Sequence, residues 1–296
     1  MSLRLEMLQV ARLAPRLLSE GADLVREFIA GQLHPDGGFF DRAGNPDLYY
    51  TVFGLNCMLA MRMEIPYARI SAHLETFGDG RELDLIHLSA LARAWATLPG
   101  GISPQRVGVM LEHLETWRTP KGGYNVTPDA KAGTAYGNFM ALGTYQDLNR
   151  PLPQPQQLIE GCLALRTPDG GFANEPDIPA ANTPAMAAVE SVLRSLGESL
   201  PEGAAQWLLK YRYPEGGFFA VPGAPMPDLL STATALHALS GMGVDLEPLC
   251  EANLDYIDSL WVNKGSFYGN WGDGDLDVEY TFYGLLALGH LSAVTG

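Results

Sequence analysis

Pro35-Asp36-Gly37-Gly38-Phe39 returns with small changes as Lys121-Gly122-Gly123-Tyr124, Pro168-Asp169-Gly170-Gly171-Phe172 and Pro214-Glu215-Gly216-Gly217-Phe218, and in reduced form as Lys264-Gly265-Ser266-Phe267. The first glycines lie 85, 48, 46 and 49 residues apart. The first interval is nearly double the others, and within it Gly78-Asp79-Gly80 followed by Asp84-Leu85-Ile86-His87-Leu88 reads as a decayed copy. The chain is therefore built from six units, and a period of this length marks a repeat architecture.

Each glycine loop is followed by a short irregular stretch, an Asp or its equivalent, and an apolar segment with Thr near its start. Asp47-Leu48-Tyr49-Tyr50-Thr51, Asp228-Leu229-Leu230-Ser231-Thr232 and Asp277-Val278-Glu279-Tyr280-Thr281 show the pattern most clearly. Asp before an apolar run is a helix N-cap signal, because its carboxylate accepts from the free amides of the first turn. The segments that follow, such as 51–61, 134–142, 185–196 and 232–239, are apolar on nearly every side, as buried helices are. Those preceding the loops, such as 22–33, 106–117 and 204–211, are amphipathic. The expected fold is an all-α α/α toroid: six helix hairpins, buried helices inside and amphipathic ones outside, closing because no single pair can bury its own apolar face. One domain over residues 1–296 accommodates it, with an N-terminal helical extension over about 1–21.

Composition narrows the partners. The 296 residues include 33 Gly and 21 Pro, with 47% hydrophobic and 18% charged side chains, which describes a globular, turn-rich chain. The formal charge is −15, and residues 151–296 carry 5 basic against 18 acidic side chains. Such a field repels nucleic acid and anionic membrane surfaces, so neither is expected as a partner. Cys57, Cys162 and Cys250 show no paired or Cys-x-x-Cys spacing, which points to a reducing, cytoplasmic setting without a thiolate metal cluster. The opening residues mix Glu6 and several arginines into the apolar run, so no signal peptide is read, and no segment reaches the length of a membrane span.

The glycine loops and the Asp-x-x-(Tyr/Ser)-Thr helix starts resemble those of the protein prenyltransferase β subunits and of the squalene and terpene cyclases that begin reaction by protonation. The likeness covers about residues 22–296. It implies an α/α toroid whose centre binds an isoprenoid chain. The transferases hold zinc with an Asp, a Cys and a His; the matching positions here are Asp228, Leu230 and Tyr280, so one ligand of three remains and no zinc site is expected. Their diphosphate-binding cations are missing as well, since 172–183 and 218–232 contain no basic residue. A partner subunit accompanies the transferase β subunits, so a helical partner is conceivable.

The cyclases carry Asp-x-Asp-Asp-Thr at an inner helix start, its middle acid protonating the substrate. Aligned on Thr281, this places Glu279 at the general-acid position, Asp277 at the first, and Tyr280 where the third acid stands. A protonating carboxyl needs a pKa raised by burial and like charges, and Asp273, Asp275 and Asp277 crowd Glu279. The bland readings are a helix cap for Asp277 and a solvated first-turn acid for Glu279. The same acidic run could hold Mg²⁺, although it lacks the pattern of a calcium-binding loop. Candidate catalytic residues are thus Glu279, Asp277 and Asp228. Tyr49, Tyr50, Tyr136, Phe139, His237, Tyr280 and Tyr283 are candidates for the wall of a central pocket, where aromatic faces bind isoprenoids and stabilise carbocations; core packing is the alternative for each. The functional reading is an isoprenoid-handling enzyme. Its alternatives are a non-catalytic module that binds a lipid or prenylated peptide, and a protein-interaction scaffold.

Overall fold

The computed structural model describes residues 2–295. Two helices precede the repeats, α1 (Leu3–Ala11) and α2 (Pro15–Leu18). The units then alternate outer and inner helices: α3 (Gly21–Gly31) and α4 (Leu48–Ala60), α5 (Tyr67–Glu75) and α6 (Leu85–Trp95), α7 (Pro104–Leu114) and α8 (Ala135–Asp147). The second half continues with α9 (Pro155–Leu163) and α10 (Thr183–Ser195), α11 (Ala204–Lys210) and α12 (Leu229–Gly241), α13 (Cys250–Leu260) and α14 (Val278–Thr295). Each inner helix packs against the next in chain order, and α14 returns to α4, closing a ring of six. The fold is the expected α/α toroid. Helices α4, α10 and α12 begin two or three residues earlier than the apolar runs suggest, because the caps themselves set the boundary, whereas α8 begins one residue after Thr134, which is its cap.

Those caps are present as the sequence implies. Asp47, Asp84, Asp228 and Asn182 each accept from the amide three residues on, through the side chain, and Thr134 does the same. Asp277 accepts from the Tyr280 amide at 2.8 Å. Each such bond satisfies one of the donors that a helix start leaves free.

The recurrent Thr has a different task. Thr51 Oγ1 donates to the Asp47 carbonyl at 2.6 Å and accepts the amide of Phe39 at 2.9 Å. Thr232 accepts that of Phe218 at 3.0 Å, and Asn138 replaces it in the third unit by accepting from Tyr124 at 2.7 Å. In these three units the bond ties the aromatic of the glycine loop to its own inner helix; in the sixth, Thr281 meets the Ser266 hydroxyl at 2.8 Å instead. The rings are driven fully inward: Phe39, Tyr124, Phe172 and Phe218 expose nothing. Three residues beyond Thr51 and Thr281 stand Gly54 and Gly284, where an added Cβ would lie 2.3 Å from the Phe39 ring and 2.4 Å from the Phe267 ring. Helix propensity is surrendered there to admit an aromatic wedge.

The loops are miniature hairpins of fixed size. Each aromatic pairs with the residue six before it: Leu33 with Phe39, Arg118 with Tyr124, Arg166 with Phe172, Arg212 with Phe218 and Trp261 with Phe267. The reduced copy Gly265-Ser266-Phe267 is thus structurally complete. The second unit is the exception, with a plain turn through Gly78 and Gly80 leading to the Asp84 cap.

The first glycine of the pair makes the joint between units. At Gly37, with φ of +101°, a Cβ would lie 2.2 Å from the Arg69 carbonyl oxygen of α5. Gly122 abuts Gln157 of α9, Gly216 abuts Ala252 of α13, and Gly265 abuts Leu24 of α3. The last of these contacts locks the sixth loop to the first outer helix.

At the opposite end of the ring α1 lies across the C-terminal ends of the inner helices. The Leu3 amide donates to Gln146 Oε1 at 2.8 Å, Arg4 reaches the Ala96 carbonyl and Arg12 the Leu59 carbonyl at 3.4 Å each, and Gly289 leaves room for the Val10 carbonyl. Cations at helix C-termini meet the negative end of the backbone dipoles. Among the described residues no helix is long and apolar enough to cross a membrane.

Thr51→Val removes the acceptor from a fully buried amide without changing side-chain shape. We expect a loss of about 1–3 kcal/mol in thermal unfolding, with Thr51→Ser close to the parent; equal stability of the valine variant would show that the Phe39 amide needs no partner.

Candidate functional site

The inner helices enclose a cavity of about 320 Å³. Counted from each cap, every inner-helix residue that lines it stands at the second, fifth, sixth or ninth position. The sixth position contributes from all six helices: Phe53, Ala90, Met140, Ala188, Thr234 and Tyr283. This spacing is one face of a 3.6-residue helix turned to the ring axis. The cavity is apolar through its middle. Towards the helix C-termini it ends in Asn56, Arg93, Ser191 and His237, with Arg4 and Met7 of α1 across the floor.

Towards the helix N-termini aromatic rings dominate. Tyr49 packs edge-on to Phe53 at 5.0 Å, and Phe53 meets Phe282 at 5.9 Å and Tyr283 at 5.7 Å. Glu279, on the first turn of α14, enters this cluster by accepting the Tyr49 hydroxyl at 2.7 Å. It is partly buried rather than solvated. Burial pushes its carboxyl up from 4.5 to about 7, and the charge of Asp277 adds to the shift; the bond from Tyr49 and the charge of Arg42 oppose it. The Tyr49 and Tyr283 hydroxyls are held protonated, burial raising both well above the ordinary phenol range.

Asp277 is 1% exposed and serves twice. One oxygen caps α14, and the other accepts Arg42 Nε at 2.7 Å. Arg42 also bonds Asp273 at 3.0 Å, approaches Asp275 at 3.9 Å, and lies over the Tyr280 ring at 5.3 Å. The cation at the acidic run is therefore an arginine from the first unit, brought to the sixth by ring closure. Although partial burial works against the guanidinium, its bonds to Asp277 and Asp273 outweigh that and raise its pKa.

Of the residues singled out from sequence, Tyr49, Tyr136, Phe139, His237 and Tyr283 line the cavity. Tyr50 and Tyr280 stand one position further round the helix, outside the lining; burial raises each phenol to about 12. Asp228 caps the neighbouring helix α12, where its charge, like that of Glu279, acts on the Tyr280 phenol. Both its oxygens are engaged by Ser231, the amide at 2.7 Å and the hydroxyl at 2.8 Å, and burial raises its pKa against those bonds. His237 bonds His290 at 3.0 Å, and burial with the nearby Arg194 charge lowers it to about 3. Asn56, Arg93 and Arg4 escape sequence reading. The first two stand at the ninth position after a cap, a register that aligning the six units would have exposed.

The transferase metal positions do not suit zinc. Asp228 is committed to its cap, Leu230 supplies cavity wall, and Tyr280 lies under Arg42. Among the described residues no three His, Cys, Asp or Glu side chains gather as a metal-binding group.

The sequence profile of the prenyltransferase alpha-alpha toroid domain family matches residues 17–92 and 185–295, and the chain belongs to that family. Its structure is similar to that of the type II terpene cyclase MstE from Scytonema, with a TM-score of 0.61 and 16% identity over 96% of this chain and 98% of the other. A variant of that cyclase in complex with geranylgeranyl dihydroxybenzoate superposes with a TM-score of 0.60 at 17% identity, covering 95% of this chain and 98% of the other. The protein geranylgeranyltransferase-I of Candida albicans complexed with GGPP gives a TM-score of 0.60 at 17% identity over 82% and 85% of the two chains. A comparison with curated proteins finds no match.

Because Arg42 restrains the pKa of Glu279, Arg42→Gln should move that carboxyl above about 7. Carbon-detected NMR titration of the glutamate carboxyls reads this directly, and an unmoved or lowered value would show that Arg42 does not govern the site.

Proposed function

We propose that the protein binds a short isoprenoid in the central cavity and starts its cyclisation by proton transfer from Glu279. The observation that carries this reading is a carboxyl that keeps its proton to about pH 7 and is bonded to Tyr49, which lines the aromatic end of an apolar chamber, although Glu279 itself stands just behind that lining. In the first step Glu279 gives its proton to one carbon of an alkene, whose π electrons form the new C–H bond and leave a carbocation on the neighbouring carbon. The next alkene then attacks, making a carbon–carbon bond and moving the cation along the chain. The last cation loses a proton to water, and the Glu279 carboxylate regains one from solvent, which balances the sequence. The faces of Phe53, Phe282 and Tyr283 lower the energy of such cations, and the Tyr49 hydroxyl stabilises the carboxylate that Glu279 becomes.

Initiation by loss of diphosphate has less support, since the stretches 172–183 and 218–232 at two helix starts lack any cation. At interior packing density the cavity holds a ligand of roughly 15 non-hydrogen atoms. Three buried, unpaired cysteines support a reducing, cytoplasmic setting.

Glu279→Gln should abolish product formation, by about 10³-fold or more, while leaving ligand binding intact; turnover at the parental rate would sink the assignment. In the parent, kcat should fall as pH rises through about 7, because only the protonated acid reacts. The same group links stability to pH. Its folded pKa lies above the unfolded 4.5, so its stabilising contribution is complete below that value and is lost as pH rises through about 7. Glu279→Gln should flatten that part of the stability profile, and an unchanged profile would show that the carboxyl is not shifted.

A further inference from the structure

The proposed reaction uses the aromatic end of the cavity and leaves its polar floor without a role. A chamber for hydrocarbon alone gains nothing from Asn56, Arg93, Ser191 and His237, and burying polar groups without partners is costly. Asn56 is 4% exposed, lines the cavity, and has no hydrogen-bond partner for Oδ1. Since the two ends of an amide are interchangeable by a flip, either its oxygen or its nitrogen can be turned to a ligand.

Arg93 is the second element. Its Nε donates to Asp147 Oδ2 at 3.1 Å, and among the described residues no acceptor takes its terminal nitrogens. They pass over Gly143, where a Cβ would lie 2.9 Å from Nη2, so a glycine opens the path of the guanidinium. Arg4 of α1 takes the other oxygen of the same carboxylate at 3.0 Å. Two guanidiniums thus share one acid, leaving a positive charge uncompensated on this side of the floor. Across from it the balance reverses: Arg194 stands between Glu6 and Glu190 at 2.5 and 2.6 Å. That side repels a multiply charged group.

We infer that the floor is a subsite for a single carboxylate, held by the Arg93 fork and the Asn56 amide, and that the ligand is an isoprenoid acid. The inference rests on the protonation reading for the other end of the ligand. Glu279 and Arg93 stand at the second and ninth positions of their helices, a rise of roughly 10 Å along the axis, which a short prenyl chain spans. The planar guanidinium matches a carboxylate through two parallel N–H donors.

The test compares farnesoic acid, farnesol, farnesene and farnesyl diphosphate by isothermal titration on the purified full chain. The acid should bind at least tenfold more tightly than each of the others. Asn56→Leu should raise the melting temperature of the ligand-free protein by about 2–4 °C, by removing an unsatisfied buried amide, and weaken the acid at least fivefold while sparing farnesene. Gly143→Ala, which displaces the Arg93 fork without removing its charge, should weaken the acid in the same selective way. Equal binding of acid and hydrocarbon, tightest binding of the diphosphate, or an Asn56→Leu protein that is less stable and unselective would each overturn the carboxylate subsite. The two readings separate through Glu279→Gln. If that variant keeps the acid preference and still turns substrate over, the general acid is wrong and the subsite stands; if it loses turnover while acid and hydrocarbon bind alike, the reverse holds. Failure of all four compounds to bind overturns both.

Discussion

The ring depends on a contact between a backbone and a backbone. At four loops the first glycine of the pair sits against a carbonyl of the following outer helix, as Gly37 does on Arg69 and Gly265 on Leu24. Any side chain there would drive two units apart. The positive φ at these glycines is a second reason for the residue, since L side chains seldom adopt it. Beside this joint the buried aromatic, held by Thr51, Asn138 or Thr232 in three of the units, fixes how the loop meets its own inner helix. One short motif therefore sets both the internal geometry of a unit and its spacing to the next. What occupies the ring axis is left free to vary, which is why the repeat specifies a fold more firmly than a chemistry.

Electrostatics divide the axis into two ends of different character. Around Glu279, apolar surroundings and one neighbouring carboxylate favour the proton, while Arg42 takes up most of the negative charge nearby through Asp277 and Asp273. At the floor, arginines and acids are intermixed, and the histidine pair of His237 and His290 is kept neutral by burial. Between them the wall carries little charge. In the proposed reading such a gradient orients an amphipathic ligand without requiring a large pocket.

Much of this was legible because it is local. The glycine loops, the Asp caps and the apolar inner segments are separated from their partners by a few residues, and six copies make the signal redundant. Asp84 marks the decayed second unit even though its hairpin is missing. Three features were harder. Tyr50 and Tyr280 are aromatic and sit at helix starts, yet a single position turns a side chain by about 100° and removes it from the axis. Arg42 meets Asp277 across 235 residues, a pairing that only ring closure creates. Arg4 arrives from outside the repeats, carried by a helix that folds back over the C-terminal ends. Long-range encounters of this kind leave no periodic trace.

The pairing of Arg42 with Asp277 joins the first unit to the last, and it borders the acid whose proton the site holds. The seam therefore acts as an interlock. In a chain whose circle has not closed, the loop bearing Arg42 stands away from α14, Tyr49 cannot reach Glu279, and water fills the space between them. The carboxyl then reverts to an ordinary surface acid, ionised at neutral pH and unable to donate. The raised pKa of Glu279 is thus a property of the finished circle rather than of any unit within it, and so is whatever proton transfer the proposed reaction draws from it.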